Sequence, residues 1–345
     1  MARRKADASL PAGDGYCANQ DEIKESIGWR GPYGPRWMDN RLSARERSIL
    51  NSRVDMTWSF LGQTLAGGIL LGGIYALLAS SVTLIFGVMR VINFAQADFM
   101  MLGMALAFAL NYFFGLDPIV MAIPVGLALA LAGLPVAGVL ERVPRGNQDA
   151  QLILTLGVSS VIQSLALIFI GPTPKVVLRP YTNEYFIIGG ILINHARLFA
   201  FIAALIMMFG LYLFLTRTWT GRAMRATADD PTAAGSVGVN VARIHMTAFI
   251  IGTGLDGCAG SVMVTFLGVN PVIGSDFIMI MFLAVVMGGL GSVPGAALGG
   301  LLVGLIQSFG AQFWTLQLQN VSLFVMFVAL LLFRPQGIFG FRLRA

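Results

Sequence analysis

The region from residue 277 to residue 333 contains 57 consecutive residues without an Asp, Glu, Lys or Arg. Crossing the hydrocarbon core of a membrane as a helix takes about 20 apolar residues, so this interval predicts two or three spanning helices. Five shorter charge-free intervals each predict about one more helix: 56–89, 99–116, 119–140, 150–174 and 198–216. A chain with this pattern is expected to fold as helices within a membrane.

The longest interval is interrupted by the run GGLGSVPG at 288–295, and Gly and Pro in such a run end a helix. One further span is predicted over about 244–268 and contains Asp256. Only 12% of the residues are charged, against roughly 25% in soluble domains, and no strand-like alternation is present. We therefore predict an all-α fold, a polytopic membrane helix bundle of about eight to ten transmembrane helices.

The basic residues of the connections predict the orientation of the bundle. One set of connections carries ten arginines and the other set only three basic residues, which places the richer side and the carboxyl terminus in the cytoplasm. The richer side holds Arg90, Arg142, Arg145, Arg217, Arg222, Arg225, Arg243, Arg334, Arg342 and Arg344, and the other side holds Lys175, Arg179 and Arg197.

Three regions follow from these patterns. Residues 1–55 carry ten Lys or Arg and eight Asp or Glu, with no apolar core of a secretory signal. They predict a disordered extension, a regulatory tail, or an upstream start codon with Met56 as the true beginning. Residues 56–340 form the transmembrane domain, with a cytoplasmic loop at 217–243, and 341–345 form a short basic cytoplasmic tail.

The segment 221–240, GRAMRATADDPTAAGSVGVN, is a polar island between two long apolar stretches. Asp229 or Asp230 suits an N-cap, Pro231 suits the first helical position, and Gly238 suits the end of a helix. These residues predict a short capped helix outside the lipid. A membrane protein that builds such a helix is expected to present it to a soluble partner.

Four polar residues in apolar surroundings are candidates for a translocation pathway: Asn93, Gln96, Asp98 and Asp256. The first three open a span, where they either line the pathway or cap the helix, with Asp98 near the positive end of its dipole. A carboxylate within a span normally faces a cavity or a partner, so Asp256 is either a transport residue or a buried hydrogen-bonding group. Asp276 is predicted to cap the next helix.

Several chemistries are not supported by the sequence. His195 and His245 have no ligand spacing, and Cys17 and Cys258 lie in regions of different character, so no metal site or catalytic centre is predicted. No cofactor is expected, and the phosphate-binding pattern GxxxxGK[ST] does not occur in the sequence. Energy from ATP would therefore have to come from another subunit.

Four segments, in matching order, resemble the permeases of branched-chain amino acid ABC transporters, the LivH-like family. The most similar is GGIYALLASSVTLIFGVMRVINFAQADFMMLG at 72–103, followed by the island, by GGLGSVPGAALGGLLVGL at 288–305 and by FRPQGIFG at 333–340. Two residues depart from the family. The usual motif INFAHGE reads INFAQAD at 92–98, and Asp256 stands where small apolar residues are usual.

The resemblance implies an inner-membrane permease of an ABC importer that takes up leucine, isoleucine and valine. Its implied partners are a second homologous permease, two ATPase subunits and an extracytoplasmic solute-binding protein, with no nucleic acid. The island would supply the coupling helix for the ATPase through Arg222, Arg225, Asp229, Asp230, Pro231, Ala234 and Gly238.

Two alternatives to this function stay open at this point. The same machinery could serve urea, short amides or other amino acids, since these permeases take much of their specificity from the binding protein. An ion-coupled secondary transporter is a further alternative, although it would need paired ionisable residues near the bilayer midplane, and the spans offer only Asp256.

Overall fold

The computed structural model describes residues 36–143, 148–182, 184–188, 190–313, 319–333 and 337. The chain divides into two compact units, Met1–Trp58 and Ser59–Ala345. The described part of the first unit, 36–58, is helical. Several residues named in the sequence analysis lie outside this description: 1–35, Arg145, the basic tail 341–345 and all of FRPQGIFG except its first residue and Gly337. The predictions made for them stay predictions.

The described residues form eleven α-helices, one 3-10 turn and one β-hairpin. In chain order they are α1 Arg36–Met89, α2 Gln96–Phe114, α3 Ala122–Arg142, α4 Gln148–Ile170, the turn Pro180–Thr182, β1 Tyr185–Ile188, β2 Ile191–Asn194, α5 His195–Arg217, α6 Trp219–Asp229, α7 Pro231–Ser236, α8 Val241–Met263, α9 Ile273–Gly288, α10 Val293–Phe313 and α11 Gln319–Phe333.

Seven of the described helices are long and apolar enough to cross a membrane: α2, α3, α5 and α8, and the parts 60–89, 149–170 and 293–312 of α1, α4 and α10. Two shorter apolar helices, Ile273–Gly288 and Val321–Leu330, lie below this length. The predicted class is thus confirmed, whereas the predicted number is reached only when the short helices are counted. The predicted break is also confirmed, because α9 ends at Gly288 and α10 begins at Val293.

Small residues allow the central helices to approach closely. A Cβ atom added to Gly103 of α2 would lie 2.6 Å from the carbonyl oxygen of Gly257 in α8. A Cβ on Gly72 of α1 would lie 2.8 Å from the carbonyl oxygen of Leu301 in α10. Close backbone approach of this kind drives helix association in lipid, where water does not favour the burial of apolar side chains. The helix α8 packs closely against α2 at Gly103 and against α3 at Gly126, where an added Cβ atom would lie 2.8 Å from the Gly254 carbonyl oxygen, and these neighbours help to position the site described below.

Two local features differ from the sequence predictions. The hairpin 185–194 was not predicted, and its turn uses Gly190, whose φ of 83° is costly for other residues. Gln63 of α1 holds this hairpin, since its side-chain amide donates to the Leu192 carbonyl and accepts from the Leu192 amide, both at 2.7 Å. The prediction that Asp276 caps a helix was wrong, because α9 begins three residues earlier and Asp276 lies within its first turn.

Candidate functional site

Three of the four polar residues predicted for the pathway form one buried hydrogen-bonded chain. The Asn93 side-chain amide donates to Gln96 Oε1 at 2.9 Å, and Gln96 Nε2 donates to Asp256 Oδ2. Ser81 Oγ donates to the second carboxyl oxygen, Oδ1, of Asp256. All four side chains are buried. We call Asn93, Gln96, Asp256 and Ser81 the core polar network.

The core polar network joins three helices at a point well inside the bundle. Ser81 precedes the end of α1 at Met89 by eight residues, which is about 12 Å along a helix axis. Gln96, the first residue of α2, meets the same carboxyl group as Ser81. The segment 90–95 therefore runs back beside α1, and α2 begins within the bundle. Helix termini placed at such a depth are typical of membrane transport sites.

Asp98 lies apart from this network, although the sequence grouped it with Asn93 and Gln96. Its carboxyl oxygen Oδ1 accepts from Gln163 Nε2 of α4 at 3.1 Å. The same Gln163 nitrogen lies 3.2 Å from Ser159 Oγ and 3.3 Å from Ser275 Oγ. Asp98 thus belongs to a second polar cluster, between α2, α4 and the first turn of α9. The sequence did not single out Gln163, because an amide within an apolar helix gives no spacing signal.

The polar island folds into two helices that meet at Asp230. The prediction of a capped helix is confirmed: Asp230 Oδ1 accepts from the Thr232 amide at 2.8 Å and from the Ala233 amide at 3.0 Å, and Pro231 occupies the first helical position. The helix α7 ends at Ser236, and Gly238 follows with a φ of 89°, which favours glycine.

The predicted coupling residues divide into an exposed group and a buried one. Arg222, Arg225, Asp229, Asp230 and Gly238 are exposed, and Pro231 is partly buried. Ala234 is only 4% exposed, so it packs inside this chain instead of facing a partner. Val237 was not among the predicted residues, and its side chain is 81% exposed directly after α7. An aliphatic side chain on a polar loop could have drawn attention to it.

The inner face of α6 is anchored to the membrane helices. Ala223 and Met224 belong to a hydrophobic cluster with Leu84 and Val88 of α1, Leu211 and Leu215 of α5, and Ile244 and Ala248 of α8. Beside this cluster, a cavity of about 580 Å³ opens between the ends of α1, α3, α7 and α8. His245 Nδ1 lies 3.1 Å from Glu141 Oε2 in its wall. The position of α6 is therefore coupled by direct packing to the end of α1.

The cap of α7 can be tested by the paired variants Asp230→Ala and Asp230→Asn. We expect Asp230→Ala to fray α7, because two amides lose their acceptor, whereas Asp230→Asn preserves the cap, since Asn caps helices about as well as Asp. Hydrogen exchange at Thr232 and Ala233 measures the difference. Equal exchange in the wild type and Asp230→Ala would contradict the role of the cap.

The same cap has a defined dependence on pH. Hydrogen bonds from the Ala233 and Thr232 amides, with a contribution from Arg90, hold the pKa of the Asp230 carboxyl below its usual range. A group whose pKa is lowered by folding stabilises the fold above its unfolded pKa of about 3.9 and loses this effect as the pH falls through the folded value. The cap should therefore stabilise α7 fully at neutral pH and lose the part of its effect that depends on charge in acid below about pH 4.

Known proteins with a similar sequence are membrane transport permeases. The family model for the permease component of branched-chain amino acid transport systems matches residues 64–333. The high-affinity branched-chain amino acid transport system permease protein BraD of Pseudomonas aeruginosa is 33% identical over 292 residues, which cover 81% of this chain and 95% of BraD. No solved structure matches the chain.

Two further relatives extend the range of organisms. The corresponding permease protein LivH of Escherichia coli K12 is 30% identical over 293 residues, covering 81% of this chain and 95% of LivH. A probable LivH of the archaeon Methanocaldococcus jannaschii is 28% identical over 296 residues, covering 80% of this chain and 91% of that protein. The core polar network and the polar island both lie within residues 64–333, the part of the chain that the family model matches.

Proposed function

This chain belongs to the family of permease components of branched-chain amino acid transport systems, and we propose that it imports leucine, isoleucine and valine as a subunit of an ABC transporter. The observation that carries the proposal is the family match across residues 64–333, which spans the described helices from α1 to α11. The named relatives are transport permeases, and this chain is a multi-pass membrane permease of the same kind.

The proposed complex contains a second homologous permease, two ATPase subunits and an extracytoplasmic solute-binding protein. The helix α7 is the proposed coupling element, because it is capped, exposed, and joined to α6, which packs on three membrane helices. The phosphate-binding pattern GxxxxGK[ST] is absent from the sequence, so the ATPase activity would reside in the separate subunits. The exposed Arg222 and Arg225 would contribute charge at this contact.

The orientation is part of the same proposal. The helix α5 separates the polar island from the hairpin 185–194, so the two lie at opposite ends of that helix. The excess of arginine around the island supports a cytoplasmic position for α7 and the carboxyl terminus in a bacterial inner membrane. The hairpin would then face the solute-binding protein outside the membrane.

The core polar network is the proposed gate of the pathway, with Asn93, Gln96 and Asp256 as its members from the predicted set. It lies where α2 begins inside the bundle, and its side-chain hydrogen bonds join α1, α2 and α8. A junction of this kind can open by exchanging one set of hydrogen bonds for another. The second polar cluster, which contains Asp98 and Gln163, would hold α4 and α9 beside the core polar network.

Uptake of labelled leucine tests the function, in cells with and without the gene and with ATP depleted while the proton gradient is kept. We expect uptake that requires both the gene and ATP and is blocked by unlabelled valine. Blocking by urea or short amides instead would retain the mechanism and change the substrate. Uptake that persists without ATP would contradict the ABC assignment.

A further inference from the structure

The segment 90–95 joins α1 to α2, and Arg90 fixes the end of this segment that follows α1. The backbone amide of Arg90 donates to the Phe86 carbonyl at 2.8 Å and so closes α1. Its φ is 55°, the one positive value for a residue other than glycine in the part of the chain that is described. A backbone conformation of this kind persists only where the surrounding contacts determine it.

The Arg90 side chain reaches the end of α6. Its Nη2 atom lies 3.2 Å from the Ala228 carbonyl oxygen and 3.5 Å from that of Asp229. The last carbonyls of a helix have no partner within the helix, and a cation there is favoured by the helix dipole. Arg90 thus ties the end of α1 to the residues that lead directly into α7.

The other end of the segment, which leads into α2, is fixed by the core polar network. Asn93 Oδ1 accepts from the Ala95 amide at 3.1 Å, and its amide group donates to Gln96. Gln96 in turn donates to Asp256. Only six residues, 90–95, separate α1 from α2, and even a fully extended chain of that length spans only about 20 Å. Hydrogen bonds hold both ends of this short segment, so a displacement at one end can be passed to the other.

We propose that Arg90 is a positioning residue that transmits movement of α6 and α7 to the core polar network through the segment 90–95. The proposal rests on the proposed function in one respect, namely that α7 receives the movement from an ATPase. The cavity of about 580 Å³ is lined by Arg90 and Val91 together with Thr232 and Gly235 of α7, and it provides space for this movement.

The first experiment tests whether Arg90 couples the core polar network to α6 and α7. It measures hydrogen exchange of the purified permease in nanodiscs, without any partner. The variants are Asp256→Asn, Arg90→Gln and the double variant; Gln keeps the backbone preference of Arg at position 90 while removing the cation. We expect Asp256→Asn to speed exchange at residues 226–236 by about threefold when Arg90 is present and to have no further effect in Arg90→Gln. Wild-type exchange at 226–236 in Asp256→Asn, or an equal increase in both backgrounds, would overturn the proposal.

The second arm measures uptake and ATP hydrolysis in cells and membranes that contain the whole importer. Arg90→Gln should lower the leucine taken up per ATP hydrolysed by about tenfold, while Arg90→Lys should keep most of it because a cation remains. Arg243→Gln, which removes an exposed arginine from the same end of the bundle, is the matched control. A proportional loss of uptake and hydrolysis in Arg90→Gln would contradict a transmitting role. A wild type without ATP-dependent uptake would refute the proposed function, and the exchange experiment would still decide the role of Arg90.

Discussion

Replacing Asp256 by Asn is expected to lower leucine uptake at least tenfold, roughly what a loss of 1.4 kcal/mol in the transport step produces. The hydrogen bonds of the core polar network have a fixed direction. Asn93 Oδ1 is held by the Ala95 amide, so its nitrogen points to Gln96 Oε1 and the Gln96 nitrogen points to Asp256. An Asn at position 256 can keep its oxygen towards Gln96 and turn its amide group towards Ser81, whose hydroxyl can accept it and donate to the Leu78 carbonyl oxygen at 2.7 Å.

Asp256→Asn therefore exchanges one hydrogen bond for another and removes the carboxyl group, so we expect a modest loss of folding free energy, about 0.5–1.5 kcal/mol. Thermal unfolding in detergent would show this loss beside the loss of uptake. Ser81→Ala leaves the buried Asp256 Oδ1 atom without its donor, so we expect a larger loss of stability, about 1–3 kcal/mol. Asp149→Asn, an exposed carboxylate at the start of α4, is the matched control and should behave as the wild type. Full uptake and stability in Asp256→Asn would show that the network has no role.

Replacing Val237 by Asp is expected to prevent stable association with the ATPase subunits and to abolish uptake. Val237 is 81% exposed at the end of α7, and its neighbours Ser236 and Gly238 are also exposed. An exposed aliphatic residue among small residues is suited to fill a pocket on a partner, and burial of a carboxylate there costs several kcal/mol. The permease itself should fold normally, because the side chain makes few contacts within the chain.

Co-purification of the ATPase with tagged permease measures the association. Ile187→Asp is the matched control, since Ile187 is 72% exposed on the hairpin at the other end of α5. It should retain the ATPase. Val237→Ala should weaken association by less than Val237→Asp, because it removes apolar area without adding a charge. Wild-type association of Val237→Asp would move the coupling contact away from the end of α7.

The spans, the break at 288–295 and the capped helix of the island were predictable because each depends on local pattern: apolar length, a Gly and Pro run, and an Asp before a Pro. The hairpin 185–194 was missed, because its strands lack the alternation of apolar and polar residues, although Tyr, Phe and Ile favour strands and the pair at 189–190, Gly-Gly, suits a hairpin turn. Arg90 was counted only as a charge that sets orientation. Its bond to α6 joins residues 138 positions apart, which no local pattern indicates.

The core polar network is a second case in which a contact between distant residues could not be predicted from the sequence. The sequence marked Gln96 and Asp256 as two separate departures from the family pattern and gave no reason for the second. The structure places them in direct contact, because Gln96 turns a donor into the bundle and Asp256 supplies its acceptor. The departure at Gln96 and the departure at Asp256 therefore meet in one hydrogen bond, whereas Asp98 belongs to the other cluster.

This contact also constrains how the gene can evolve. Most single substitutions at Gln96 or Asp256 leave a buried polar group without its partner, so we expect selection against them. The two codons are expected to change together or under a permissive mutation nearby, and descendants of this chain should carry both residues or neither. Joint inheritance across a lineage would then mark the branch of the family in which this junction arose.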